Sequence, residues 1–87
     1  MFTVYILKSS KTDKYYIGYT ANIEDRVEQH NSGSTPSTRS GIPWTLVYTE
    51  TFDNKTDAIK RENEIKRKKS RKYIEYLIGS LDSSSDG

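Results

Sequence analysis

Phe2-Thr3-Val4-Tyr5-Ile6-Leu7, followed after seven polar residues by Tyr15-Tyr16-Ile17-Gly18-Tyr19-Thr20, is the stretch from which the rest of the chain is read. Both runs are aromatic and β-branched, the composition of strands. Phe2, Val4 and Ile6 fall on one face of the first strand, and Thr3, Tyr5 and Leu7 on the other. A short polar link between two strands makes an antiparallel hairpin. Gly18 weakens the second strand and requires a reason, such as close approach by another group.

From Asn22 the period changes. Asn22 (or Thr20) is a suitable N-cap, Glu24 and Asp25 suit the positive end of a helix dipole, and Ile23 and Val27 form a narrow apolar stripe. Asn31 to Gly33 end that helix. Ser32 to Pro43, rich in Ser, Thr, Gly and Pro, reads as a loop. Trp44 to Phe52 is a third strand, with Trp44, Leu46 and Tyr48 alternating against Thr45, Val47 and Thr49. Asn54 or Thr56 caps a helix over about Asp57 to Lys69, and Ser70 opens a short amphipathic helix carrying Tyr73, Ile74, Leu77 and Ile78. The tail from Gly79 is rich in Ser and Asp and is expected to fray. The expected order is β-β-α-β-α-α: an α+β fold in which helices flank a small three-stranded antiparallel sheet. One domain is expected over 1–79 and a flexible C-terminal tail over 80–87.

Composition narrows the class. Eighty-seven residues suffice for one domain, which at this size buries only about 60% of its unfolded surface. The chain is 32% hydrophobic and 30% charged, so its seven tyrosines must supply much of the buried area. With no cysteine there is neither a disulfide nor a thiolate metal site, and a cytoplasmic location is expected. No apolar run is long enough to span a membrane. Eight of the 14 Lys and Arg lie between Lys60 and Lys72, opposed only by Glu62 and Glu64, a local charge of +6 against +2 for the whole chain. A phosphate polyanion would recruit such a surface, and a solvated helix face explains it equally well.

Three features sit awkwardly with a purely structural role. Glu62 falls in line with Ala58 and Ile65 on an apolar stripe, where a carboxylate needs an ion pair, with Arg61 or Lys66, or a metal. Arg26 and His30 are one turn apart on the first helix, a guanidinium for a phosphate oxygen beside an imidazole, or a surface ion pair and a helix-end histidine. Tyr5 and Tyr16 sit in mid-strand, where packing is the default role.

Together these residues resemble the GIY-YIG nuclease superfamily. The signature tyrosines lie in Val4-Tyr5-Ile6 and in Tyr16-Ile17-Gly18, with nine residues between the two motifs. The stretch Asn22 to Asn31 is similar to the family's arginine helix, and Ala58 to Lys66 to its acidic helix. The likeness, from Phe2 to Ile78, is to small stand-alone bacterial members related to the N-terminal nuclease domain of the excision-repair endonuclease. An asparagine that follows the glutamate in several members has no counterpart here, apart from the adjacent Asn63.

The resemblance implies a divalent-metal-dependent endonuclease hydrolysing DNA phosphodiester bonds, structure-directed or weakly specific, in repair or recombination, with RNA left open as substrate. It implies that Glu62 binds Mg²⁺ or Mn²⁺, that Arg26 neutralises the phosphoryl oxygens, and that Tyr5 orients or deprotonates the attacking water. Tyr16 assists, and His30 is the competing base. Thr38, Arg39, Lys66, Arg67, Lys68, Lys69, Arg71 and Lys72 are expected to meet the nucleic-acid backbone. The alternative reading is a nucleic-acid-binding module of the same fold that has lost efficient cleavage.

Overall fold

A strand that is apolar on both faces belongs in the middle of a sheet covered on both sides, and β1 (Phe2–Ser9) takes that place. In the computed structural model it pairs antiparallel with β2 (Tyr15–Thr20) on one side and with β3 (Trp44–Phe52) on the other, giving the order β2-β1-β3. The remaining elements are α1 (Ile23–Ser32), a 3₁₀ helix (Pro36–Gly41), α2 (Lys55–Lys68) and α3 (Arg71–Asp86). The backbone is described for residues 1–68 and 70–86, and side chains for 1–68 and 70–79. Apart from its helical backbone trace, the tail expected over 80–87 lies outside the described residues, as does Lys69.

The two faces of β1 build two cores. Val4 and Ile6 pack with Tyr48, Ala58, Ile65, Ile74 and Leu77, so this layer is closed by α2 and α3. Tyr5 and Leu7 pack with Trp44 and with Tyr16, Ile23 and Val27, under α1. The helix boundaries follow their caps. Asn22 accepts the Asp25 N–H at 3.2 Å, and Gly33 closes α1 at φ 84°, the left-handed conformation that glycine adopts without penalty. Asn54 accepts the Asp57 N–H at 2.9 Å, so it, and not Thr56, caps α2. Ser70 accepts the Tyr73 N–H at 3.2 Å and starts α3.

Two local expectations are corrected. Trp44, Leu46 and Tyr48 do not share a face. The register passes from Ile6 opposite Tyr48 to Leu7 opposite Leu46, leaving Val47 as the extra residue of a β-bulge. One inserted residue reverses the facing of everything beyond it. Trp44 therefore lies in the Tyr5 layer and Tyr48 in the Val4 layer. The segment Ser32 to Pro43, expected as plain loop, contains the 3₁₀ helix and is tied down at several points. Ser9 Oγ donates to the Gly41 carbonyl at 2.6 Å while accepting from the Lys11 and Thr12 amides, which joins the β1–β2 turn to the helix.

Candidate active site

Gly18 supplies the opening around which the site is built. It lies opposite Tyr5 in the β1–β2 ladder, and a Cβ at Gly18 would stand 2.6 Å from the Tyr5 hydroxyl oxygen and 2.8 Å from Cζ. With no side chain there, the Tyr5 ring lies across the strand and reaches the end of α1. Its hydroxyl meets His30 Nε2 at 3.1 Å. On the far side of the imidazole, Nδ1 lies 2.8 Å from Thr38 Oγ1 of the 3₁₀ helix. Tyr16, on the same sheet face, places its ring 4.8 Å from that of His30 and 6.3 Å from that of Tyr5.

The arrangement is closed from behind. Trp44 donates its indole N–H to the Thr38 carbonyl at 2.7 Å, and its ring covers Gly41, where a Cβ would overlap it. Asn31, the residue after His30, clips α1 to β3 by accepting the Trp44 N–H at 2.6 Å and donating to the Trp44 carbonyl at 3.0 Å. Tyr5, His30 and Thr38 are exposed by 1%, 0% and 1% of their surfaces, whereas Tyr16 is half-buried. No hydrogen-bond partner occupies the Tyr16 hydroxyl among the described residues.

Electrostatics separate the two tyrosines further. Burial pushes the Tyr5 hydroxyl well above the usual phenol range, with the neighbouring Tyr16 and Glu62 adding to the rise and Arg26 opposing it. Burial, and secondarily the Arg26 charge, hold the His30 imidazole below its ordinary value. Both groups are therefore neutral near pH 7. The Tyr5 hydroxyl, expected to orient or deprotonate an attacking water, lies buried against His30 Nε2.

Arg26, one turn before His30, is half-buried and has no ion pair or side-chain hydrogen bond among the described residues. It lines an open cleft of about 550 Å³ with Phe2, Tyr19, Thr20, Asp25, Gln29 and Lys55. Glu62 is close enough to act on Tyr5, and its side chain is 13% exposed. Its carboxylate pairs with Lys66 Nζ at 3.2 Å, while Arg61 turns away to Glu50 and Glu64. Among the described residues no group of three or more His, Cys, Asp or Glu could hold a metal ion. A single carboxylate of hard oxygens suits a cation that keeps most of its water, as magnesium does, and is too few for a dehydrated protein cage.

The residues expected at the nucleic-acid surface divide. Thr38 is buried and its hydroxyl meets His30 Nδ1, a placement that the composition of the loop does not signal. Arg39 is exposed, its Nε donating to the Gly33 carbonyl at 3.0 Å. Lys66 is committed to Glu62, and Lys68 lies over the Tyr73 ring. Arg71 covers the Tyr15 ring and pairs with Asp13 and Glu75. Arg67 and Lys72 are exposed at the α2–α3 junction, and Lys69 lies outside the described residues.

The family model for the GIY-YIG catalytic domain matches residues 1–74, which include every one of these groups. The chain belongs to the GIY-YIG family. A UPF0213 protein of Halobacterium salinarum is 43% identical to this GIY-YIG chain over 68 residues, covering 77% of it and 87% of the relative. A UPF0213 protein of Staphylococcus haemolyticus is 43% identical over 76 residues, covering 83% and 92%. The solution NMR structure of UPF0213 protein BH0048 from Bacillus halodurans matches with a TM-score of 0.57 at 36% identity, covering 91% of this chain and 84% of that one. The α+β GIY-YIG fold expected from the sequence is thus the fold of the chain, shared with small proteins of similar length. No described helix is long and apolar enough to cross a membrane.

Proposed function

We propose that this GIY-YIG chain is a divalent-metal-dependent endonuclease that hydrolyses DNA phosphodiester bonds. The observation that carries the reading is Arg26: a half-buried residue with no ion pair or side-chain hydrogen bond among the described residues, lining an open cleft and within electrostatic range of Tyr5 and His30. A cation held free of counter-ions is preorganised for an anion, and a phosphodiester is the anion for which the rest of the site is equipped.

In this reading Arg26 meets the non-bridging phosphate oxygens and stabilises the charge that gathers on them as the nucleophile adds. Tyr16 presents the accessible hydroxyl and orients the attacking water. Tyr5 and His30 support it from behind and exclude solvent from that side. Glu62 would hold Mg²⁺ or Mn²⁺ in place of its pair with Lys66, and that ion would supply Lewis-acid stabilisation of the leaving oxygen. The strand enters by the cleft beside Arg26 and Lys55, with Arg67, Arg71 and Lys72 offering further backbone contacts that position without reading sequence. Such contacts fit structure-directed or weakly specific cleavage of the kind used in repair or recombination, in the cytoplasm.

Nicking of a supercoiled plasmid in Mg²⁺ or Mn²⁺, compared with a folded Glu62→Ala variant and with EDTA, tests the proposal. Nicking that is lost in both controls supports it. DNA binding without cleavage of plasmid, branched DNA or RNA would overturn it in favour of a binding module, a reading favoured by the Lys66–Glu62 pair and by the absence, among the described residues, of any group of three or more His, Cys, Asp or Glu that could hold a metal ion.

A further inference from the structure

His30 stands between two hydroxyls, and the hydrogens of this buried chain can be counted. Thr38 Oγ1 lies 3.3 Å from the Thr35 carbonyl, which its single hydroxyl hydrogen can reach. If that hydrogen goes to Thr35, Thr38 accepts from His30 Nδ1–H, Nε2 is bare, and Tyr5 donates to it. Every hydrogen then has an acceptor. In the opposite direction, Thr38 donates to Nδ1 and Nε2–H donates to Tyr5. The Tyr5 hydrogen would then have no acceptor among the described residues, although the side chain is 1% exposed. The first direction is therefore the one that gives every hydrogen of this buried chain an acceptor among the described residues.

We infer that Thr38 is a positioning residue: it holds His30 as the Nδ1–H tautomer, so that Nε2 takes the Tyr5 hydrogen and the Tyr5 oxygen faces the site only as an acceptor. The inference rests on the nuclease reading for its effect on rate, though not for the tautomer itself. The 3₁₀ helix, the Trp44 bond to the Thr38 carbonyl and the Ser9 bond to the Gly41 carbonyl serve one end, which is to set Thr38 Oγ1 against Nδ1. Second-sphere partners commonly set an imidazole's tautomer in this way.

His30 is the sole histidine, so every imidazole ¹⁵N signal of the full chain belongs to it. Long-range ¹H–¹⁵N spectra at pH 7.5 should show a protonated Nδ1 and a bare Nε2 in the wild type. Thr38→Val should reverse or mix the two states, and Thr38→Ser should restore the wild-type pattern. In plasmid nicking, Thr38→Val should lower kcat roughly tenfold or more with little change in KM, and Thr38→Ser should recover most of it. A protonated Nε2 in the wild type overturns the inference, whether or not Thr38→Val folds. So does a Thr38→Val protein with the wild-type tautomer. A wild type that has the expected tautomer yet cleaves nothing would refute the nuclease reading and leave the tautomer assignment standing.

Discussion

Gly18→Ala tests the site's construction with one methyl group. The new Cβ would lie 2.6 Å from the Tyr5 oxygen and 2.8 Å from Cζ, whereas ordinary contact begins at 3.4 Å. The Tyr5 oxygen must therefore retreat by 0.8 Å, the difference between those two distances. It has little freedom to do so, because the ring is buried and its hydroxyl is held at 3.1 Å from His30. Overpacking of this kind costs about 1–3 kcal/mol. Loss of glycine's freedom in the unfolded chain returns about 0.4–1 kcal/mol, too little to reverse the sign. A net loss of about 1–2 kcal/mol lowers the Tm of a domain this size by roughly 4–16 °C.

Tyr5→Phe alone removes the hydroxyl and strands His30 Nε2, costing about 1–3 kcal/mol. In the double variant the nearest atom to the new methyl is gone and the hydrogen bond is already broken. The two losses should then fall short of additivity by about 1 kcal/mol, a coupling that urea denaturation of all four proteins measures. Strict additivity, or a Gly18→Ala protein as stable as wild type, would refute the account of why the second strand carries a glycine.

Three further outcomes follow from the same geometry. Arg26→Ala should retain the fold, since the side chain has no ion pair or hydrogen bond among the described residues, yet lower plasmid nicking about 100-fold or more, as removal of a preorganised transition-state cation does. Circular dichroism and initial rates check the two halves of that statement. His30, pushed down by burial and by Arg26, should titrate by NMR with a midpoint below about 6.5. Because the folded state binds that proton more weakly than the unfolded state, His30's contribution to stability is complete above the unfolded value. It is lost as pH falls through the folded one, so the urea midpoint should drop in that window. Asn31→Ala breaks both bonds to the Trp44 backbone and should destabilise by about 1–2 kcal/mol, read by the fluorescence of the sole tryptophan.

Much of this architecture is legible before any coordinates. The two β-prone runs, the Asn22 and Asn54 caps and the Gly33 stop are local signals, and local signals survive folding. Gly18 is conspicuous because glycine is costly in a strand, and its reason proves to be the Tyr5 ring. What the sequence hides depends on distant partners. The bulge at Val47 arises from pairing with β1, so no alternation within Trp44 to Phe52 reveals it. Thr38 looks like one polar residue among many in a Ser/Thr-rich segment, and only Trp44 and His30 single it out. Spacing likewise leaves Glu62 between Arg61 and Lys66, and the choice of Lys66 follows from Arg61 being drawn to Glu50 across the sheet. The enclosure of Tyr5 beneath α1 is a property of the assembled layers, which its place in the motif does not reveal.

The bulge at Val47 also bears on how this protein meets copies of itself. β3 is an outer strand, and an outer strand is an open template on which another chain can add by main-chain bonds. The extra residue kinks and twists that template, so a neighbour's straight strand cannot continue in step along it. Deleting Val47 would straighten the border. Trp44 would stay opposite Ser9 in the Tyr5 layer, so the change would leave a regular, sticky margin on a sheet whose two faces keep their residues. Fibre formation by such a deletion, against a soluble parent, would identify a single residue as the guard of that margin.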